Sequence, residues 1–205
     1  MIKGLMLMFE TAKTWERIAS VRRQWVSVLF THVIPLLVLT SIAEGYSLHH
    51  WGRVQNIVNL QLKKYSLPEV FAYEGAQFLL TLMVIFFCAK LIKSMGETFH
   101  GRHTFDQTFV AIAYGLSPLF IFRFADMIPG LTPWAGYIVG VLLSLSILYY
   151  GLPCIMQPDP PHAFGLYLTS CMLIVMTSGL VRFLTAWYLA GKFEKLNHLF
   201  PPGVS

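Results

Sequence analysis

Five charged side chains stand inside or at the edge of long apolar runs: Glu44, Glu74, Arg123, Asp126 and Arg182. A charge at the middle of a membrane helix costs about 2.5–3.5 kcal/mol on insertion scales, so each of these residues needs a partner or a purpose. Both signs are present, and two readings follow. Paired, a cluster of Glu74, Arg123, Asp126 and Arg182, with Glu74 meeting Arg123 or Arg182, ties separate helices together. Unpaired, the same residues form a site for an anionic headgroup or a transported substrate. Arg182 also lies within a few turns of the end of its run, close enough to extend to the interface.

A second constellation is His100-Gly101-Arg102-His103, followed by Asp106. Two imidazoles and a carboxylate are ligand types that zinc accepts. Against this, Gly101 breaks a rigid helical frame for the two histidines. The plainer reading is a solvated loop, with Asp106 favouring the N-terminus of the helix that follows. His49 and His50 read as interfacial, and His32 as a polar group bonded to a neighbouring helix. Gly-x-Ser-x-Gly, His-Glu-x-x-His and Walker patterns do not occur, so no catalytic residue and no cofactor is assigned.

These residues are positioned by five apolar runs, near Trp25–Ala43, Phe71–Ile92, Phe105–Met127, Trp134–Met156 and Ala163–Ala190. Each approaches or exceeds the roughly 20 residues that cross about 30 Å of hydrocarbon as a helix. The runs are continuous rather than alternating, which points to helices and away from a barrel. The chain is 56% hydrophobic and 12% charged, against about a quarter charged in soluble domains. The expected fold class is an all-α membrane protein, a single five-transmembrane-helix bundle over residues 25–190. Residues 1–24 precede it and a short tail, 191–205, follows.

Ahead of the first span, Ile2, Leu5, Met6, Phe9, Ala12, Trp15 and Ile18 recur at helical spacing, with Glu10, Lys13, Glu16 and Arg17 on other faces. That pattern predicts an N-terminal amphipathic interfacial helix, lying in the headgroup plane or packed on the cytoplasmic end of the bundle. In the loop Glu44–Val70, the residues Val54, Ile57, Val58 and Leu62 outline a second interfacial helix ending before Pro68. Pro35, Pro118 and Pro153 are expected to kink or end helices. Gly136, Gly140 and Ser144 form a small-residue stripe that admits a close helix, either within the chain or across a dimer seam.

The net charge of +5 does not point to nucleic acid. Lys3, Lys13, Arg17, Arg22 and Arg23 all precede the first span and most other bases flank spans, a distribution suited to anionic lipid headgroups. Bases on the two sides nearly balance in number. The cluster at Lys13–Arg23 then decides for a cytoplasmic N-terminus and an external C-terminus. No cleavable signal is evident, so the first span is expected to remain as an anchor. Cys88, Cys154 and Cys171 fall within or at the ends of spans and read as free thiols.

The second half carries an ordered set of short motifs. Thr104-Phe105-Asp106-Gln107-Thr108-Phe109 leads into Ala113-Tyr114-Gly115-Leu116-Ser117-Pro118. Then come Ile128-Pro129-Gly130, Tyr149-Tyr150-Gly151-Leu152-Pro153 and Gln157-Pro158-Asp159-Pro160-Pro161. With Thr14-Trp15-Glu16-Arg17-Ile18, this order resembles the Yip1-domain family, particularly its bacterial members. The resemblance implies a five-helix bundle with a cytoplasmic N-terminus and, for bacterial members, an inner-membrane location. Eukaryotic relatives act in early secretory membranes, bind small GTPases of the Rab type and one another, and usually carry a long cytosolic N-terminal region. Only about two dozen residues precede the first span here, so small-GTPase binding is not carried over. No catalytic residues come with the resemblance.

The expected function is therefore that of a non-enzymatic organiser or adaptor. It would act through membrane lipids and through lateral contact with other integral membrane proteins or with itself. The alternative is transport of a small molecule, ion or lipid through the charged cluster, although five spans without inverted halves do not suit a repeat-built transporter. A third option is a metal-dependent membrane enzyme using His100, His103 and Asp106.

Overall fold

In hydrocarbon a backbone amide has no partner but the chain itself, so long apolar runs fold as helices. The computed structural model describes residues 2–21, 23–54, 62–98, 104–128 and 130–190. Among the described residues five helices are long and apolar enough to cross a membrane: Trp25–His50, Leu67–Thr98, Phe105–Met127, Trp134–Met156 and Pro160–Leu189. They form an all-α bundle, and the three cysteines are free thiols.

The first two spans extend furthest beyond their apolar runs. The first continues to His50 because its polar residues find partners inside the protein, Ser47 donating to the Met127 carbonyl at 2.7 Å. The second begins earlier, at Leu67, on a Ser-x-x-Glu signal. There the Glu69 carboxylate accepts from the Ser66 backbone N–H at 2.8 Å and from its hydroxyl at 2.9 Å, satisfying donors the helix itself leaves open.

The third span is the hub. In its most apolar stretch 67% of residues are buried, against 28–44% in the other four, so it runs through the middle while the others face lipid. A capping box at Thr104 and Gln107 starts it. It breaks at Leu116, restarts at Ser117-Pro118, and ends in a tight 3₁₀ turn over Arg123–Met127. Pro118 sits in the first turn of the restarted segment, where a missing N–H costs nothing. The first span answers Pro35 differently, with a π-helical turn over Leu29–Val33.

The small-residue stripe of the fourth span lies against this hub. A Cβ on Gly136 would come within 2.6 Å of the Phe122 carbonyl oxygen, and one on Gly140 within 2.9 Å of the Leu119 Cα. Ser144 accepts from the Leu119 N–H at 3.2 Å, taking up a donor that the helix break leaves near Pro118. All three residues of the stripe thus meet the third span of their own chain.

The N-terminal region differs from a single interfacial helix. It forms α1 (Ile2–Phe9) and α2 (Thr11–Ser20), with the break at Glu10. The amphipathic α2 buries Thr14, Trp15 and Ile18 and exposes Lys13, Glu16 and Arg17. Its Trp15 indole donates to the Ile147 carbonyl at 3.1 Å. In contrast, α1 enters the bundle. The Cα side of Gly4 is so close to His32 and Ser117 that a Cβ would meet them at 2.8 and 2.9 Å. Ser117 lies twelve residues along the third span, about 18 Å of helix rise. Leu7 is fully buried. Apolar residues on nearly every face of α1 explain why it inserts, whereas α2, with one charged face, stays at the end of the bundle.

The first loop also departs from expectation. Arg53–Val54 and Leu62–Lys63 pair as a short antiparallel ladder, β1 and β2, with Val54 opposite Leu62. These two are strand partners rather than neighbours on a helical stripe; Ile57 and Val58 lie outside the described residues. Gly52 opens the ladder with φ of +75°, a conformation that favours glycine.

Each end of the bundle has its own fastening. At the end carrying α2, the Trp25 ring packs edge-on against Phe86, Phe105 and Phe109 at 5.6, 6.0 and 5.9 Å. The opposite end is held by charge.

Candidate functional site

Glu44 lies about two turns from the end of the first span, Glu74 about two turns into the second, and Arg182 about two turns from the end of the fifth. Arg123 and Asp126 occupy the closing turn of the third. The alternation of helix directions brings all five to one level. There they form a chain of alternating sign. Arg123 donates through Nη2 to Glu74 Oε2 at 2.5 Å and through Nε to Glu44 Oε2 at 2.8 Å. Arg53 then lies 3.7 Å from Glu44 Oε1 and 3.4 Å from Asp126 Oδ1. Arg182 Nη2 closes the series on Asp126, at 2.6 Å from Oδ1 and 2.8 Å from Oδ2.

The sequence of charges is Glu74, Arg123, Glu44, Arg53, Asp126, Arg182. Every one is at most 8% exposed. Three guanidinium groups face three carboxylates, so the cluster is neutral overall and each ion has an opposite neighbour. The Tyr73 hydroxyl donates to Glu44 Oε1 at 3.1 Å, and Arg53 also lies 3.4 Å from the carbonyl oxygens of Asp126 and Leu131. Four spans and the first loop are joined through these contacts. Such a cluster is strong in place yet sensitive to loss of any one member, because the remaining partner is left as a buried charge.

Arg53, in the first loop, is the one member of the network that lies outside the apolar runs. A parity argument was available: Glu44, Glu74 and Asp126 outnumber Arg123 and Arg182 by one, so a neutral buried cluster needs another base. The first loop supplies Arg53, Lys63 and Lys64. Of these, Arg53 reaches two carboxylates and two carbonyls at once, as a guanidinium fork can and an ammonium cannot.

Below the network, toward the middle of the bundle, is a cavity of about 70 Å³. Its polar wall includes Gln77, Arg123, Asp126 and Arg182, and its apolar wall Leu37 and Phe120. Of the wall residues, Gln77 Oε1 and Arg123 Nη1 are buried polar atoms without a hydrogen-bond partner. Such atoms are uncommon in folded proteins and mark places where water or a ligand completes the structure.

The other polar candidates have local roles. Asp106 Oδ1 accepts from the Trp25 backbone N–H at 3.2 Å, capping the first span from the third. His100 and His103 lie outside the described residues, and no group of three or more potential metal ligands occurs among the described ones. His32 Nε2 and the Ser117 hydroxyl are 2.8 Å apart, a bond between the first and third spans. His49 Nδ1 meets the Tyr65 carbonyl at 3.0 Å.

The family model for the Yip1 domain matches residues 5–183. The chain belongs to the Yip1-domain family. The match begins within α1 and ends just past Arg182, so the small-residue stripe and the six network charges fall within the Yip1 domain, as does the second half of the inserted helix. No curated protein and no solved structure matches the chain. The Yip1 family is not a known enzyme family, and this Yip1-domain chain is a multi-pass membrane protein.

Proposed function

We propose that this Yip1-domain protein is a non-enzymatic membrane organiser or adaptor. It acts through membrane lipids and through lateral contact with other integral membrane proteins or further copies of itself. The observation that carries this reading is the closure of the charge network. Each of the six buried charged side chains meets an opposite charge in the same chain, so these charges are taken up in joining helices. What remains for partners is the apolar flank. Leu79, Met83, Leu142, Met172, Met176 and Leu180 are each 59–71% exposed. Flexible methionines among them suit a surface that accepts varied neighbours.

The proposed setting is a bacterial inner membrane, with the N-terminus in the cytoplasm and the C-terminus outside. Neither nucleic acid nor a small GTPase is among the proposed partners. The test is gentle extraction of the tagged protein from its native membrane into nanodiscs, with mass spectrometry of co-purifying proteins. Recovery of an integral membrane partner in stoichiometric amount, or of a defined homo-oligomer, supports the reading. A solitary monomer under conditions that preserve known complexes of the same membrane removes it.

Transport remains a second reading, favoured by the cavity beside Arg123 and Arg182. It requires flux in proteoliposomes that stops when either arginine is neutralised while the protein stays folded. Unfolding of those variants, with no flux by the unaltered protein, counts against it.

A further inference from the structure

The break between α1 and α2 has no cause in its own sequence. Neither glycine nor proline stands between Phe9 and Ser20, and glutamate, the residue at the break, is a good helix former. Helical bonding nearly runs through. The Glu10 N–H donates to the Met6 carbonyl at 2.8 Å, and the Thr14 N–H to the Glu10 carbonyl at 3.1 Å. Glu10 alone leaves the helical region, with φ of −126° and ψ of 66°, and its side chain does not cap α2. The Thr11, Ala12 and Lys13 N–H groups have no backbone acceptor among the described residues. Thr11 instead donates its hydroxyl to the Leu7 carbonyl at 2.9 Å. In an unbroken helix the Thr11 N–H takes that same carbonyl, and the next two N–H groups take those of Met8 and Phe9. Turning one residue converts two helices into one.

The straightened helix has a face of its own. Leu7, Met8, Trp15, Ile18 and Ala19 share one side of it, and Lys13, Glu16 and Arg17 fall on others. A helix of that kind rests at the boundary of headgroups and acyl chains. The bend, by contrast, is held by packing. Gly4 lies against His32 and Ser117, Leu7 is fully buried, and Met8 packs on the core. Lys3 is the one polar side chain in α1, so what holds α1 in place is apolar contact, which lipid also supplies.

The socket that α1 fills is built of irregular backbone. The first span makes its π-helical turn over Leu29–Val33 there, and the third breaks at Leu116. Irregular backbone at membrane depth needs cover from protein or water, and in the bent form α1 is that cover. His32 is 1% exposed and Ser117 is fully buried.

We propose that α1 is a retractable plug. It swings about Glu10 between the socket and a position continuous with α2 in the headgroup plane, and loosely packed headgroups draw it out. Retraction opens a crevice from the α2 end of the bundle to His32 and Ser117. The membrane surface meets Leu7 and Met8 only in the straight form, which is the differential contact that a population shift requires. This goes beyond the organising role, and the two fail separately. A fixed α1 leaves partner capture standing, and absence of partners leaves retraction standing.

The test is thiol labelling of Ser117→Cys in the full chain, with Cys88, Cys154 and Cys171 replaced by alanine. The protein is reconstituted in one mixture of dioleoylphosphatidylglycerol and dioleoylphosphatidylethanolamine, as small sonicated or large extruded vesicles. An impermeant maleimide added outside reads the molecules whose α2 end faces outward, in the leaflet that strong curvature loosens. Ser117→Cys should react about tenfold faster in the small vesicles, as the straight form becomes populated. Adding Thr11→Pro should make labelling slow in both, because proline fits the first turn of α2 and blocks the continuous helix. Adding Gly4→Val, which closes the socket to α1, should make it fast in both. Ile174→Cys, fully buried in the fifth span, is the control and should stay slow in both. Equal rates for Ser117→Cys in the two vesicle types overturn the proposal. So does acceleration that survives Thr11→Pro, or that Ile174→Cys shares.

Discussion

Both carboxylate oxygens of Asp126 accept from Arg182 Nη2, at 2.6 and 2.8 Å. The contact pins the fifth span to the last turn of the third. It is also the terminal link of the charge chain. Asp126 meets Arg53 on its other side, and Arg53 meets Glu44, so the remaining four charges stay balanced two against two without this pair.

Arg123 stands in the opposite position, bonded to two carboxylates at once. Arg123→Met leaves Glu44 and Glu74 without their shortest partner and should cost about 3–5 kcal/mol. Arg123→Lys keeps the charge but loses the fork, and should fall between the two. Thermal unfolding in a fixed detergent checks the order. Equal stability of all three proteins contradicts it.

Gly140→Leu should be among the most damaging changes on the fourth span. Its Cβ would stand 2.9 Å from the Leu119 Cα, so backbone must separate before the side chain is accommodated. A loss of about 1–3 kcal/mol is expected from such overpacking. Size-exclusion profiles should retain the oligomeric state of the unaltered protein, because the stripe is occupied within the chain. A clean dissociation of oligomers with stability unchanged would place the stripe at a subunit seam instead.

Gly4→Val should expel α1 from the bundle, since the added carbon meets His32 and Ser117 at 2.8 and 2.9 Å. The readout is thiol labelling at Leu7→Cys, a position with no exposure. Labelling should be slow with Gly4 and at least tenfold faster with Gly4→Val. Equal rates in both backgrounds count against insertion.

Trp15→Phe removes the bond to the Ile147 carbonyl while keeping an aromatic ring. A loss of about 0.5–1.5 kcal/mol is expected from one buried hydrogen bond. Trp15→Ala should cost about 3–5 kcal/mol, and should expose the Lys13–Arg17 segment to trypsin. Unchanged digestion of the alanine variant argues that α2 is held elsewhere.

The spans were legible in sequence because hydrocarbon imposes one simple rule on length and polarity. The third span's kink at Pro118 was legible too, since a missing N–H leaves a local mark. The paths of α1 and the first loop were not. Apolar residues at helical spacing around Leu7 and Phe9 fit a membrane surface and a protein interior equally well; only the room beside Gly4, His32 and Ser117 separates them. Val54 and Leu62 fit one helical stripe by spacing, yet their pairing depends on Gly52 and on Arg53 reaching the network. Glu74, Arg123, Asp126 and Arg182 were visible as misplaced charges. Which of them would meet depended on helix rotations that no spacing encodes.

The central claim is that the buried charges fasten the bundle and do not recognise a partner. Its most direct test replaces the terminal pair, comparing Arg182→Met alone with the double variant Asp126→Leu/Arg182→Met by thermal unfolding and by capture of co-purifying proteins. The account predicts that the single variant is strongly destabilised. The double variant should recover most of that loss, since a buried ion pair can yield to well-packed apolar residues, and should retain the full set of captured proteins. A double variant that folds normally but loses those proteins, or a single variant as stable as the unaltered chain, contradicts it.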